Sequence, residues 1–367
     1  MSTPTDADRV TLHIAGHVHG DWLKYSIDSD FFTPADGWSV SLGTPATALP
    51  EYLQPWAEVQ IRVGDELVMS GRVDRVRHAF RKGEHVLDIR GRDGAAVLLD
   101  CSAPIFVSRE ITLPEAVATV ARPLGIAELD IAGRDAAFVK VTVEPGMSAW
   151  EVIQQAAEAS GLWPWFTPDG TLKIAAPDYT TPPVAALIMR LDGKGNNVID
   201  IEIDKGCERR YSEVTVLAQG AGTEKKKSKN AMKGKATDPN VKWHRPLIVS
   251  EGCLDSPGDA LKKAKKRLAD GVMDSFTITA KVRGHRTSDG KLWEPGQRVT
   301  LNGDKHVYFL TRRTFNGGRD GTTTTLVLKP DGVWLPDTSK KGKRGKKGKK
   351  PFSGSWDYGD KLCPPRR

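Results

Sequence analysis

Val59, Ile61 and Val63 alternate with Glu58, Gln60 and Arg62. Side chains along a strand point to opposite faces in turn, so this period of two builds a strand with one dry and one wet face. Such a strand needs a layer to cover its apolar face, and the same pattern recurs along much of the chain. Gly64-Asp65 supplies a turn, and residues 67–76 return with Gly71 as the expected bulge or bend. Residues 81–84 turn again, and 85–90 form the next strand. Strands joined by tight turns, with few helical signals between them, predict a small antiparallel barrel or sandwich from residue 10 to about 101.

The middle of the chain changes period. Thr112 with Glu115, and Ser148 with Glu151, each read as a capping box: the hydroxyl accepts from the N3 amide and the glutamate reaches back to the cap amide. Behind the first, Val117, Val120, Ala121 and Leu124 share a helical face and Gly125 stops the helix. Behind the second come Ile153, Ala156 and Ala157, stopped by Gly161. Residues 162–167 and 171–174, joined by Pro168-Asp169-Gly170, predict a hairpin. Together these make a small α+β unit.

Strands return at 197–203 and 211–217. Residues 220–242, with Lys225, Lys226, Lys227, Lys229, Lys233 and Lys235, read as a basic loop inserted between strands. A helix is expected over 256–270, with Pro257 at N1. Its apolar stripe is Ala260, Leu261, Ala264 and Leu268; its wet face is Lys262, Lys263, Lys265, Lys266 and Arg267. Further strands follow at 276–282, 298–301, 306–315 and 322–328. Trp56 followed by Gly64-Asp65, and Trp293 followed by Gly303-Asp304, give the two strand-rich regions a likeness whose register slips; duplication and chance fit it equally.

The expected layout is therefore a flexible N-terminus (1–7), a first β-barrel (8–104), an α+β domain (105–195) and a second β-barrel (196–336). The second barrel carries the basic loop 220–242 and the helix 256–270, and a basic flexible tail (337–367) follows. The fold class is α+β and multidomain, with two similar small antiparallel barrels flanking the α+β unit. At 367 residues each part can bury a core.

Charge is concentrated. Lys340, Lys341, Lys343, Arg344, Lys346, Lys347, Lys349 and Lys350 carry eight positive charges, equal to the net charge of the whole chain; the remainder balances 46 basic against 46 acidic residues. Mutual repulsion and interspersed glycine keep this run from packing, so it is either a solubilising tail or a contact for nucleic acid or another polyanion. Such contact would be blind to sequence and sensitive to salt. Trp356 and Tyr358 just beyond it form a candidate docking peptide. The N-terminus is polar and acidic rather than a signal peptide, and no stretch reaches the roughly 18 apolar residues of a membrane span. Cys101, Cys207, Cys253 and Cys363 lie far apart, which fits small apolar side chains in a reducing compartment better than zinc ligation or a disulfide framework.

No set of residues reads as a catalytic centre. GxSxG, HExxH and P-loop motifs are absent, and residues 316–321 read as a hairpin turn. His17 and His19 would point the same way on a strand, but no neighbouring ligand completes a metal site, so they read as surface histidines. Carboxylates are plentiful, yet nothing selects the pair that glycoside hydrolysis needs. Residues 143–153 resemble the opening of a LysM peptidoglycan-binding module, although a turn, a cap and an apolar helix face produce the same residues in any small α+β unit.

The order barrel, α+β unit, barrel resembles the baseplate hub proteins of Mu-like contractile-tailed phages, with the late-control D proteins and the hub part of VgrG as broader relatives. The resemblance spans roughly residues 8 to 336. It rests on 59–76, on the run 91–102, on the capped helices at Thr112 and Ser148, and on 210–216. It implies a non-enzymatic virion protein of the tail baseplate, made and assembled in the host cytoplasm, with no cofactor and no metal. It also implies a homotrimer whose two similar barrels per chain give six around an axis, joining a threefold central spike to a sixfold tail tube around a channel that passes DNA. The competing readings are a peptidoglycan-binding or cell-wall-degrading tail protein, and a polyanion-binding protein acting through its lysine-rich tail.

Overall fold

The computed structural model describes residues 6–43, 50–82, 84–132, 139–219, 232–253, 257–303, 305–318 and 321–333. The first stretch of chain contributes strands β1 (Val10–Ile14), β2 (His17–His19), β3 (Lys24–Asp30), β4 (Gly37–Gly43), β5 (Glu58–Val63), β6 (Glu66–Arg81) and β7 (Glu84–Asp93). The middle contributes α1 (Ala95–Asp100), β8 (Val107–Ile111), α2 (Leu113–Ala121), β9 (Leu129–Ile131), β10 (Val139–Thr142), α3 (Ala149–Ala159), β11 (Trp163–Phe166) and β12 (Leu172–Ala175). Then follow β13 (Ala185–Leu187), β14 (Val198–Lys205), β15 (Glu213–Gln219), β16 (Met232–Thr237), β17 (Pro246–Cys253), α4 (Pro257–Asp274), β18 (Phe276–Arg283), β19 (Arg298–Leu301), β20 (Val307–Gly317) and β21 (Thr323–Pro330).

Thirteen strands form one sheet, in the order β14-β18-β21-β20-β3-β4-β7-β6-β5-β1-β2, with β19 branching from β20 and β13 from β19. Strands from the two ends of the chain therefore share one hydrogen-bonded surface, joined where β3 pairs antiparallel with β20. The expected closed barrels are not what the pairing gives: among the described residues the strand paths are open, and the two halves are fused. Together the two halves bury one continuous core. That core runs from Leu12, Ile27, Trp38 and Val73 to Phe276, Tyr308, Phe315 and Leu326. Each of the fully buried large side chains contributes on the order of 1.5–3 kcal/mol.

The halves repeat one another. The path β3-β4-β7-β6-β5-β1 corresponds step for step to β14-β18-β21-β20-β19-β13. Both carry a bulge at the matching place: the register against β7 jumps from Val73 to Arg75, and the register against β21 jumps from Leu310 to Arg312. The outermost step differs, since β1 runs antiparallel to β5 and β13 parallel to β19. The counterpart of Trp56 is Gly296 rather than Trp293. Both have left-handed backbones (φ 77° and 93°), and their amides donate to the equivalent carbonyls of Val73 and Leu310.

β6 slips register at Val68 against β5 and at Asp74 against β7, not at Gly71. Its role is proximity: a Cβ on Gly71 would lie 2.1 Å from the carbonyl oxygen of Arg92, and one on Gly91 would lie 1.9 Å from that of Arg72 and 2.7 Å from the Trp38 ring. Glycine at both places lets β6 and β7 approach closely.

Two smaller units flank the sheet. In the α+β unit both capping boxes form, at Thr112 and Ser148, and they start α2 and α3. The helices bury Val117, Val120, Trp150 and Ile153 with Leu172 and Ile174 of the predicted hairpin. In the other unit β15 lies between β16 and β17, with α4 packed across them. Part of the expected loop 220–242 is strand β16, and residues 220–231 lie outside the described residues. The alternation Met232, Gly234, Ala236 was hidden by intervening lysines. Gly234 is required there, because a Cβ would sit 2.2 Å from the backbone of Ala260 in α4.

Gly91→Ala is expected to destabilise the protein by about 1–3 kcal/mol through overpacking. Gly37→Ala, where an added Cβ meets nothing within 4 Å, is expected to change stability little. Denaturant midpoints of the two variants, measured side by side, check this.

Candidate functional site

The β3·β20 joint is the feature around which charged groups gather. Its register sets Asp30 opposite Arg312, Asp28 opposite Thr314, Ile27 opposite Phe315 and Tyr25 opposite Gly317. On the wet face Arg312 Nε donates to Asp28 Oδ1 (2.8 Å), which also accepts from Thr314 Oγ1 (2.7 Å). On the dry face Gly317 leaves room for the Tyr25 ring, whose Cε1 would lie 2.1 Å from an added Cβ.

Tyr25 Oη lies 2.8 Å from His285 Nε2. His285 is fully buried. Its Nδ1 lies 3.0 Å from Thr324 Oγ1, and that hydroxyl donates to the Gly284 carbonyl (2.6 Å). A hydroxyl already donating to a carbonyl accepts from the imidazole, so Nδ1 carries the proton and Nε2 accepts from Tyr25. Burial, and then the positive charge of Arg313, push the imidazole down to about 3. Burial pushes the Tyr25 phenol up to about 12.

Arg313 is buried on the dry side of the joint. It donates to the Ile27 carbonyl (3.1 Å) and its guanidinium lies 4.0 Å from the centre of the Phe315 ring. Burial lowers it to about 10, against the pull of Asp36, Asp28 and Glu294. Asp36 accepts from Ser29 Oγ (2.5 Å) and from the Asp30 amide (2.8 Å), and burial raises its carboxyl to about 7. Asp93 accepts from the Ala95 amide (3.0 Å) at the head of α1 and is raised by burial and by the neighbouring Asp36. These carboxyls and Arg313 border a half-open cleft of about 180 Å³ between the sheet and the α+β unit, together with Trp165, Trp293 and Glu294.

Acid–base division of labour between two carboxyls requires environments that push them apart. Here burial raises Asp36, Asp93 and Glu294 alike. Of these groups it is Arg313, through the Ile27 carbonyl, that ties the two halves together. A second lock is Arg286, which donates to the carbonyls of Ala7 (3.0 Å) and Val63 (3.2 Å) and so ties the second half to the first.

The basic run Lys340 to Lys350 lies outside the described residues, as do Trp356 and Tyr358. His17 and His19 fall on strand β2 beside Tyr52: the His17 ring stacks on the tyrosine at 4.1 Å and His19 Nε2 lies 3.2 Å from its hydroxyl. Among the described residues no group of three or more histidine, cysteine or acidic side chains is placed to hold a metal ion. Sequence reading passed over Arg313, His285 and Asp36. Their partners are distant in the chain, and the one available signal was the pair Asp28 and Asp30 facing two adjacent arginines.

The chain carries duplicated strand paths on one sheet with two small units inserted, and four family descriptions of phage tail and baseplate proteins match successive segments. They are the N-terminal region of the Mu phage baseplate assembly protein GpP-like family (residues 9–93) and the second domain of gp44-like baseplate hub proteins (95–176). The third domain of NMB1110-like tail proteins (210–268) and a tail protein C-terminal domain (270–333) complete the set. The chain is 25% identical over 360 residues to the baseplate hub protein gp44 of Escherichia phage Mu, covering 92% of each. It is 36% identical to the tail protein from Neisseria meningitidis MC58, whose crystal structure aligns with a TM-score of 0.79 over 90% of this chain and 98% of that one. The 43 kDa tail protein of prophage MuSo2 from Shewanella oneidensis shares the fold at 20% identity, with a TM-score of 0.79 over 89% of this chain and 100% of that one. The chain belongs to the Mu-like baseplate hub family.

The histidine gives the joint a pH dependence. The unfolded chain takes up a proton near pH 6.5 and the folded chain only near pH 3, so His285 destabilises the fold as pH falls through that window. Between pH 6 and 4 the wild type is expected to lose stability faster than His285→Gln, by up to about 1.4 kcal/mol per pH unit, the slope for one proton. Parallel denaturant titrations of the two proteins check this.

Proposed function

We propose that this protein is the non-enzymatic hub of a contractile-tail baseplate: a homotrimer that joins a threefold central spike to a sixfold tail tube and leaves an axial channel for DNA. A phage-type tail baseplate role follows from family membership. The observation that carries the finer reading is the repeat within the sheet. A closed sixfold face can be made from three chains when each supplies two like surfaces. The paired paths, with their matching bulges at Asp74 and Thr311, are two such surfaces within one rigid sheet.

The buried groups beside the joint support a structural role over catalysis. Arg313 reaches across the joint to the Ile27 carbonyl, while Asp36 is taken up by Ser29 and the Asp30 amide and Asp93 by the Ala95 amide. The peptidoglycan reading gains nothing from the helices at Thr112 and Ser148, whose apolar faces are consumed by the core of the α+β unit.

Sedimentation velocity on the full chain at micromolar concentration is expected to show a trimer; a clean monomer across the accessible range would contradict the proposal. The run Lys340 to Lys350 is expected to act as a secondary, sequence-blind polyanion contact. Oligonucleotide binding by the full chain should weaken steeply with salt, with a log–log slope of up to about −6 for eight single-strand contacts. That slope should collapse in a chain ending at residue 337.

A further inference from the structure

The joint inside one chain has a second, unused copy of both of its edges. In the first path the initial strand, β3, pairs with the fourth strand of the second path, β20. The corresponding edges are the initial strand of the second path, β14, and the fourth strand of the first, β6. Among the described residues β14 pairs with β18 on one side and with nothing on the other. Beyond Val73, β6 pairs with β7 on one side, whereas its partner β5 reaches only as far as Arg72 on the other. Among the described residues these two edges do not pair with each other; they lie seven strand steps apart along the sheet, on the order of 33 Å of path at the usual spacing.

Their chemistry repeats that of the closed joint. The matching bulges equate Arg75 with Arg312 and Arg77 with Thr314. The pairings of β3 with β4 and of β14 with β18, carried through β7 and β21, equate Asp204 with Asp28 and Ile201 with Tyr25. Acidic β14 carries Asp200, Glu202 and Asp204, all exposed, and the free stretch of β6 carries exposed Arg75 and Arg77. Exposed apolar side chains sit on both edges: Ile199 on β14 and Phe80 on β6. Charge on an edge strand usually protects against pairing. Here the signs differ, so acidic edges repel one another, basic edges repel one another, and the acidic edge attracts the basic one. That selects a head-to-tail contact between two different surfaces, the kind that closes rings.

We infer that β14 of one copy adds as an antiparallel strand to residues 75–81 of the next copy, with Asp204 paired to Arg75 as Asp28 is to Arg312. This rests on the trimeric hub reading and specifies its joint: three internal and three intermolecular seams of the same design close six modules into a ring. Phe80 then lies over Ile201 of the neighbour, in the place that Gly317 and Tyr25 occupy within the chain.

The test uses the full chain and sedimentation velocity. Arg75→Glu and Asp204→Arg are each expected to weaken association about tenfold or more, and the double variant Arg75→Glu/Asp204→Arg to recover most of it. A second measurement places cysteines at directly opposed positions, Arg77→Cys and Asp204→Cys, in a chain whose exposed Cys207 is changed to Ser; oxidation is expected to give a covalent trimer. If the wild type is a trimer but the single reversals associate as well as it does and the cysteine variant stays uncrosslinked, this seam is wrong and the hub reading stands. If the wild type stays monomeric, the hub reading fails and the seam falls with it.

Discussion

The antiparallel pairing of β3 with β20 is the constraint on which the rest of the structure depends. It brings residues near the start of the chain against residues near its end, and turns two incomplete half-sheets into one surface with one core. The loop-closure entropy is large in principle but grows only logarithmically with separation, so a long intervening chain is tolerated. What offsets it is the burial of Ile27 against Phe315 and the ion pair of Arg312 with Asp28. The α+β unit and the β15–β17 unit are then insertions that the sheet carries on its flank.

Charge at the joint is arranged by depth. On the wet face Arg312 and Asp28 form an ordinary, partly exposed pair. On the dry face Arg313 is fully enclosed and depends on Phe315, the Ile27 carbonyl and the carboxyls around it. A shifted pairing would leave the buried Arg313 guanidinium without the Ile27 carbonyl and so disfavours other registers. His285 does the same by direction of hydrogen bonding, since its neutral ring accepts from Tyr25 on one side and donates to Thr324 on the other.

Local chemistry was legible in the sequence wherever it acts over short distances. The alternation at Val59, Ile61 and Val63, the capping boxes at Thr112 and Ser148 and the hairpin around Pro168-Asp169-Gly170 stand in the structure as read. Long-range pairing was not legible. Nothing near Ile27 announces Phe315, so the halves read as separate barrels when they form a single sheet. Gly71 reads as a bulge because glycine favours bulges, but its missing Cβ serves a close approach of strands, and β6 bulges at Val68 and Asp74 instead. The repeat was glimpsed through Trp56 and Trp293, and its true register lies elsewhere: a tryptophan stands in a left-handed position that the second half fills with Gly296. Strand β16 was missed because lysines mask its apolar period.

The claim that the two halves fold as one unit through this joint is tested most directly by native-state hydrogen exchange, resolved by segment along a denaturant series. The account predicts that amides of residues 25–30 and 312–317 are protected as strongly as those of β7 and β21, and that all four segments lose protection together. Exchange of the joint at low denaturant, with either half retaining its protection, would contradict it.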